Sequence, residues 1–363
     1  MDLRPISYQT IKPNRSMGVD HLRFKAIDLF SGSGGLTLGL KRAGFHVIAA
    51  IDSDELSSDT FRRNHPQVRM VTEDISTVDP EFLMNRLGMK PAELDLLSGC
   101  PPCQGFSTMR TKNGGRKISE PMNDLVFEIV RFARTFEPKA IMLENVPGLA
   151  SDVRIEQLRD DLHQLGYFVD YEVFNATDYG VPQRRKRMIL LGGMGATIPF
   201  AESVPWRTSV WDAIGHLPAP RESVDPLHNY EVSRSSSVMN LIRMIPKDGG
   251  SRASLPNNLQ LACHRKFDGF KDVYGRMAWL TQAPTITGGC INPSKGRYLH
   301  PEQDRAITLR EAALLQGFPH GYEFLLYRGR YPAAQMIGNA FPPNFAFWHA
   351  KQVVDILASH SGA

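Results

Sequence analysis

Lys25-Ala-Ile-Asp-Leu-Phe-Ser-Gly-Ser-Gly-Gly35 begins as a short apolar run and ends in a glycine-rich turn. Leu36 to Ala43 then reads as a helix, closed by Gly44. The strand–turn–helix pattern repeats on both sides of that turn. His46-Val-Ile-Ala-Ala-Ile-Asp52 is a second buried strand. Further strands are expected at Val68–Thr72, Leu94–Leu97, Ala140–Leu143, Phe168–Phe174 and Arg187–Leu191. Helices are expected at Asp124–Phe136, where Leu125, Val126, Ile129, Val130 and Ala133 recur at helical spacing, and at Ile155–Leu165. Strands alternating with helices imply an α/β fold: a doubly wound, Rossmann-like, mostly parallel sheet. Such sheets bind ligands at the carboxyl ends of their strands. Phe30, Asp52, Asp74, Cys103 and Glu144 all lie just past predicted strand ends.

The pattern changes near Gly193. Proline becomes frequent between Ile198 and Pro226, and long helices vanish. Basic and aromatic residues then interleave from His264 to Trp279. We therefore expect a lead-in at 1–22, a main domain at 23–195 completed by 335–363, and a smaller irregular domain at 196–334. The tail is expected to be helical after Pro343.

The 363 residues are 42% hydrophobic and 22% charged, with a formal net charge of +4. This is the profile of a globular chain, mildly basic, which permits nucleic-acid binding without arguing for it. No apolar run is long enough to span a bilayer, and Met1–Asp20 lacks the apolar core of a secretion signal. The four cysteines, Cys100, Cys103, Cys263 and Cys290, are too few for a disulfide framework and suit a reducing cytoplasm.

Several residues carry candidate chemistry. The Gly32-Ser-Gly-Gly35 spacing departs from the strict dinucleotide fingerprint and fits an adenosine-type ligand without a pyrophosphate, such as S-adenosylmethionine. Asp52, about 20 residues on, stands where an acid binds ribose hydroxyls. Asp74 is placed either to accept from an adenine amino group or to cap a turn. Cys100-Pro-Pro-Cys103 is formally a CxxC, yet neither a second CxxC for zinc nor an H-x-E segment for a deaminase accompanies it. A nucleophilic Cys103 suits the surroundings better. Glu144 ends the apolar run Ala140–Leu143, where burial favours a protonated acid. Gln183-Arg-Arg-Lys-Arg187 reads either as a solvated face or as an anion- or carbonyl-holding cluster.

Taken in order, six segments resemble the DNA (cytosine-5) methyltransferases. They are Phe30-x-Gly-x-Gly-Gly35, Pro102-Cys-Gln104, Glu144-Asn-Val146, Gln183-x-Arg185-x-Arg187, Arg310–Pro319 and Gly338-Asn-Ala-Phe-Pro-Pro343. The resemblance runs from about Lys25 to Phe347. It implies S-adenosylmethionine as donor, S-adenosylhomocysteine as product, and no metal. It implies that a cytosine leaves the duplex, because its reactive carbons are inaccessible in the stack. In that mechanism Cys103 attacks C6, Glu144 and Asn145 hold the N3 side, Arg187 contacts O2 and Arg185 organises the site. The implied cofactor pocket comprises Phe30, Gly32, Gly34, Asp52, Asp74, Ile75, Pro102, Leu125 and Asn339. Position 53 is serine, where many members carry a larger side chain that stacks on adenine. The stretch Ser107–Met122 is expected to act as a lid over DNA. The region from about Gly193 to Arg297 would recognise the target, with Thr287 in its short threonine-containing motif. Gln104, Arg110, Arg265 and Arg276 are candidate DNA contacts, with Lys266 and Lys295 beside them.

The resemblance further implies a prokaryotic or phage restriction–modification enzyme, EC 2.1.1.37. It would be a monomer acting on double-stranded DNA in the cytoplasm, at the nucleoid, away from membranes. A cognate restriction endonuclease would act independently. The alternatives are a tRNA-methylating branch, whose small-domain Cys-Phe-Thr stretch is absent here, and a catalytically silent DNA-binding relative, against which the joint presence of Cys103, Glu144 and Arg187 argues.

Overall fold

A computed structural model describes residues 24–102, 121–256 and 272–361. Cys103, Gln104, Arg110, Arg265, Lys266 and residues 107–120 of the expected lid lie outside the described residues. The expected strands are present as β1 (Phe24–Leu29), β2 (Phe45–Ile51), β3 (Arg69–Val71), β4 (Leu96–Gly99), β5 (Ala140–Asn145), β6 (Tyr167–Asn175) and β7 (Lys186–Met194). They form one seven-stranded sheet in the order β3-β2-β1-β4-β5-β7-β6. The pairings among β1 to β5 are parallel, and β7 runs antiparallel to both β5 and β6. The reversal follows from the short connection between β6 and β7. Residues 176–185 hold only a 3₁₀ turn, Ala176–Tyr179, too short for the crossover that a parallel pair requires.

Alternate strand residues feed two cores. Ile27, Leu29, Leu97, Ile141, Leu143 and Leu190 face one layer of helices: α3 (Pro80–Arg86), α4 (Glu128–Phe136) and α5 (Val153–Gln164). Ala26, Ala50, Leu96, Met142, Ile189 and Leu191 face the other, formed by α1 (Gly35–Ala43) and the long C-terminal helix Pro343–Ser361. The chain end thus returns to the first helix of the sheet. A third cluster joins α6 (Val210–Ile214), α8 (Leu309–Leu315) and α9 (Arg330–Asn339) to Leu56 of α2 (Glu55–Asn64). A small fourth cluster surrounds α7 (Ser236–Met244). The C-terminal helix is α10. Among the described residues no helix is long and apolar enough to cross a membrane.

Helix α2 was not expected from the sequence. It is capped by Asp54, whose side chain accepts from the Ser57 amide, and its buried face is largely Ser57, Ser58 and Thr60. Small polar residues leave no apolar period to read.

One sheet residue is chemically unusual. Asp28 on β1 is fully buried, and its Oδ2 accepts from the Thr37 hydroxyl at 2.6 Å. Its Oδ1 has no hydrogen-bond partner. Burial pushes its pKa up to about 7, against the lowering effect of the Thr37 hydrogen bonds. Between an ordinary carboxylate pKa and about 7, the folded state therefore binds more protons than the unfolded state, so this group's contribution to stability falls as pH rises. The buried His65, His300 and His349, with pKa lowered by burial to about 4, 4 and 3, act in the opposite sense below their ordinary pKa. The comparison with Asp28→Asn isolates the aspartate. The Tm of the variant minus that of the wild type should grow from pH 5 to pH 8 in thermal melts. A difference independent of pH would refute the raised pKa.

Candidate active site

The loop after β1 and the end of β2 are joined by one carboxylate. Asp52 Oδ2 accepts the Gly32 amide at 2.8 Å and Oδ1 the Asp54 amide at 2.9 Å. Burial raises the Asp52 pKa, while these two amide bonds lower it. Phe30, at the turn itself, takes a left-handed φ of 57°. Such conformations are uncommon for a bulky residue and concentrate at functional sites. Ser33 Oγ is buried without a hydrogen-bond partner and lines the cavity that this loop borders.

The cavity measures about 1170 Å³ and runs along the carboxyl edge of the sheet. Phe30, Gly32, Asp52, Asp74, Ile75, Pro102, Leu125 and Asn339 all line it. Gly34 does not; a side chain there would meet His65 Nε2 at 2.6 Å and the Tyr322 hydroxyl at 2.7 Å. Asp74 does cap a turn, as the plainer reading had it. Its Oδ1 accepts from the amide and hydroxyl of Ser76, which lowers its pKa. The same residue still borders the cavity.

At the other end of the cavity, Arg187 Nε lies 2.7 Å from Glu144 Oε1, with both side chains largely buried. The ion pair gives Glu144 a guanidinium partner that burial alone had not suggested. The reversed β7 creates this contact. Its first residues pair with the last of β5, Asn145 opposite Met188, so Arg187 arrives beside Glu144. Asn145 Nδ2 donates to the Pro101 carbonyl at 3.1 Å, and its Oδ1 accepts the Val146 amide at 2.8 Å. Asn145 thus ties β5 to the backbone just before Cys103.

Arg185 is buried, and its Nη1 donates to the Ile286 carbonyl at 3.0 Å. Gln183, fully buried, accepts the Ile286 amide at 2.9 Å and donates to the side chain of Gln316. The 183–187 run is therefore no free solvated face. Alternate members enter the interior, while Arg184 and Lys186 stay exposed. Thr287 lines the cavity, with its hydroxyl 3.0 Å from that of Tyr298. Gly338 lies directly behind it: a Cβ at 338 would come within 2.2 Å of the Thr287 carbonyl carbon. The Gly338-Asn339 turn and the 285–288 segment thus form one wall.

Two readings need revision. Arg276 was a candidate DNA contact, but it is fully buried. Its guanidinium donates to the carbonyls of Ile242, Ile245, His300 and Gln303 and pairs with Asp304, leaving nothing to offer a phosphate. Cys100, left without a role beside a nucleophilic Cys103, borders the cavity, and its thiol hydrogen-bonds to Glu144. Burial and the charges of Glu144 and Asp28 push the thiol pKa well above its ordinary value. Sequence reasoning also missed Ser33, which lay inside the loop already singled out, and Arg328. Arg328 borders the cavity and pairs with Asp54 at 3.3 Å and Glu55 at 3.0 Å. No motif marked it.

Residues 24–355 match the family model described as C-5 cytosine-specific DNA methylase. The chain is 37% identical over 350 residues to the type II methylase M.HgiDII of Herpetosiphon aurantiacus, covering 91% of this chain and 95% of that one. It is 35% identical over 336 residues to the type II methyltransferase M1.HphI of Haemophilus parahaemolyticus, covering 90% and 86%. Among solved structures it resembles a prophage-encoded E. coli chain described as a DNA modification methyltransferase, with TM-score 0.67, 26% identity and coverage of 92% and 99%. The Entamoeba histolytica methyltransferase EhMeth shares the fold at TM-score 0.63 and 15% identity, covering 92% and 98%.

Arg276 offers a direct check on the buried role. Arg276→Met should lower stability by about 3 kcal/mol, because Asp304 and several carbonyls lose their partner. At a temperature where the variant is folded, its DNA affinity should equal that of the wild type. An unchanged Tm with weakened DNA binding would restore the phosphate-contact reading.

Proposed function

Because the chain belongs to the C-5 cytosine-specific DNA methylase family, we propose a division of labour among its residues for the reaction that membership entails. That reaction is sequence-specific methylation of cytosine C5 in DNA, with S-adenosylmethionine as methyl donor. The observation that carries the proposal is the Glu144–Arg187 pair. It faces the same cavity as the Phe30–Asp52 cradle, and Asn145 beside it holds the backbone leading to Cys103.

The cavity residues fit the donor. The unpartnered Ser33 hydroxyl, the paired backbone and carboxylate groups around Asp52, and the apolar faces of Phe30, Ile75 and Leu125 suit an adenosine with a charged tail. Asp52 would hold the ribose, Asp74 the adenine amino group, and Pro102 and Asn339 the remaining wall. Gly32 lets the loop approach, and Gly34 serves the turn behind it. When bound, the donor supplies an electrophilic methyl group.

The remaining chemistry belongs to this chain and the flipped base. Cys103 attacks C6 as a thiolate, forming an S–C6 bond and moving electron density to C5. Glu144, protonated when the base is bound, donates its hydrogen to N3 as that density develops and takes it back when the adduct breaks down, and Arg187 both orients Glu144 and reaches the O2 carbonyl. Arg185, anchored on Ile286, would organise the wall of the cavity beside Arg187. After methylation, a solvent water takes the C5 proton, the C5–H electron pair re-forms the C5=C6 double bond, and the S–C6 bond breaks with its pair leaving on Cys103 as thiolate.

We further read residues 196–334 as the target-recognition part and 23–195 with 335–363 as the catalytic part. The packing of α9 with α8 in the third cluster, against α10 in the second, supports reading the return point nearer residue 340. Gln104, Arg110, Arg265 and Thr287 remain our candidates for contacts to DNA. Two relatives are named as type II enzymes, which supports a restriction–modification role with an independent endonuclease. We read the enzyme as a monomer acting on duplex DNA in the cytoplasm, at the nucleoid.

Transfer of labelled methyl groups to duplex DNA, followed by bisulfite mapping, tests the assignment. Wild type should label cytosine within one short sequence, and Cys103→Ala should label none. Transfer confined to tRNA, or a wild-type rate in Cys103→Ala, would overturn it. Glu144→Gln should slow single-turnover transfer by about 10²-fold or more. An unchanged rate at neutral pH would remove the role of Glu144 at N3.

A further inference from the structure

The glycine-rich loop is held from behind by groups that belong to no motif of the family resemblance. The Tyr322 hydroxyl donates to the Ser33 carbonyl at 2.5 Å. His65 Nε2 lies 3.0 Å from the same hydroxyl. A phenol has one hydrogen to give, and here it goes to Ser33, so His65 donates through Nε2–H. Its Nδ1 has no hydrogen-bond partner. Burial lowers the His65 pKa to about 4, so the ring is neutral at physiological pH and the direction of the relay is set. His65 is 2% exposed and Tyr322 4%.

The contact leaves the loop no slack. Gly34, the N-cap of α1, has φ 93°. Its α-carbon faces the His65 ring and the Tyr322 hydroxyl so closely that a methyl there would overlap both. The Ser33–Gly34 peptide is therefore locked on its back by the relay. The Ser33 hydroxyl, on the same residue, belongs to the cavity wall.

Tyr322 arrives from a distant part of the chain, just past α8. The segment that follows it runs along α2. Asn64 accepts the Glu323 amide and donates to its carbonyl, at 3.0 and 2.9 Å. The Leu325 amide donates to Thr60 Oγ1 at 3.2 Å, and the Tyr327 hydroxyl to Asp59 at 2.9 Å. Arg328 then reaches Asp54 and Glu55, next to the ribose-side loop. One strap therefore touches both loops of the cradle, Ser33 at its start and Asp54 at its end.

We propose that Tyr322 and His65 are positioning residues for cofactor binding, holding the Ser31–Gly34 loop in its receptive shape through the Ser33 carbonyl. The proposal rests on the reading that this loop holds S-adenosylmethionine. Without the hydroxyl, the buried Ser33 carbonyl loses its partner and the peptide is free to rotate, so the loss falls on cofactor affinity rather than on the chemical step.

Tyr322→Phe keeps the ring among Phe318 and Phe324 and removes only the hydroxyl. Calorimetric titration of the full chain with S-adenosylhomocysteine should show Kd rising about tenfold. KM for S-adenosylmethionine should rise in parallel. The kcat at saturating cofactor and the affinity for DNA should stay within about twofold of wild type. His65→Gln, which retains an N–H donor, should bind more tightly than His65→Leu. Binding is read well below each variant's measured Tm, so folding losses are separated. Wild-type affinity in Tyr322→Phe would overturn the proposal alone, and so would equal losses in kcat, cofactor affinity and DNA affinity. Failure of the wild type to bind S-adenosylhomocysteine at all would overturn the cofactor reading and this proposal with it.

Discussion

The site depends on one strand running backwards. In a fully parallel sheet, the first residues of a strand lie at the amino edge, away from the ligand side. Because β7 pairs antiparallel with β5, its start lies at the carboxyl edge, and Arg187 meets Glu144 there. The register is enforced by burial. Met188 to Leu191 are fully buried, and they feed both helix layers in alternation. A slip of one residue would exchange these faces, so the register and hence the position of Arg187 is specified by the core. A largely buried ion pair is weak evidence for stability, since desolvation offsets most of its attraction. Its position facing the cavity is better explained by what it orients than by what it holds together.

The other walls come from segments far apart in the chain. The 285–288 segment is attached to the start of β7 through Gln183, Arg184 and Arg185. The Gly338 turn is pressed against that segment with no room for a side chain. Motion of the 285–288 backbone would therefore be felt at Arg185 on one side and at Asn339 on the other. The region read as recognising DNA is in this way mechanically continuous with both ends of the cavity, with no separate linker between them.

Much of this was legible in the sequence, and the exceptions have physical causes. Apolar runs ending in glycine or acid identified the strands and the cavity floor, because a buried sheet demands such runs. Helix α2 was invisible because only Leu56 and Phe61 of its inner face are apolar, with Ser57, Ser58 and Thr60 between them, too few to show a helical period. Arg276 misled because a long basic chain among aromatic residues has the same sequence signature whether it meets a phosphate or a ring of carbonyls. Only the count of acceptors around it decides, and they are contributed by residues 242–304. Arg328 and the Tyr322 relay act through contacts about 260 residues apart in sequence, which local pattern cannot report.

The pair Cys100 and Cys103 illustrates how structure narrows chemistry that spacing leaves open. As a CxxC, either thiol could serve as nucleophile. A thiol attacks as its thiolate, so the better nucleophile is the one whose surroundings favour ionisation. Around Cys100 they do the opposite. It is partly buried, it faces two acids, Glu144 and Asp28, and its hydrogen is donated to Glu144, while the nearby Arg187 cation only partly opposes these effects. Cys100 therefore stays protonated and acts as a hydrogen-bond donor on the carboxylate that Arg187 orients. With that thiol committed, Cys103 is the member of the pair left for the proposed nucleophile, and Cys100 supports Glu144 through its hydrogen bond.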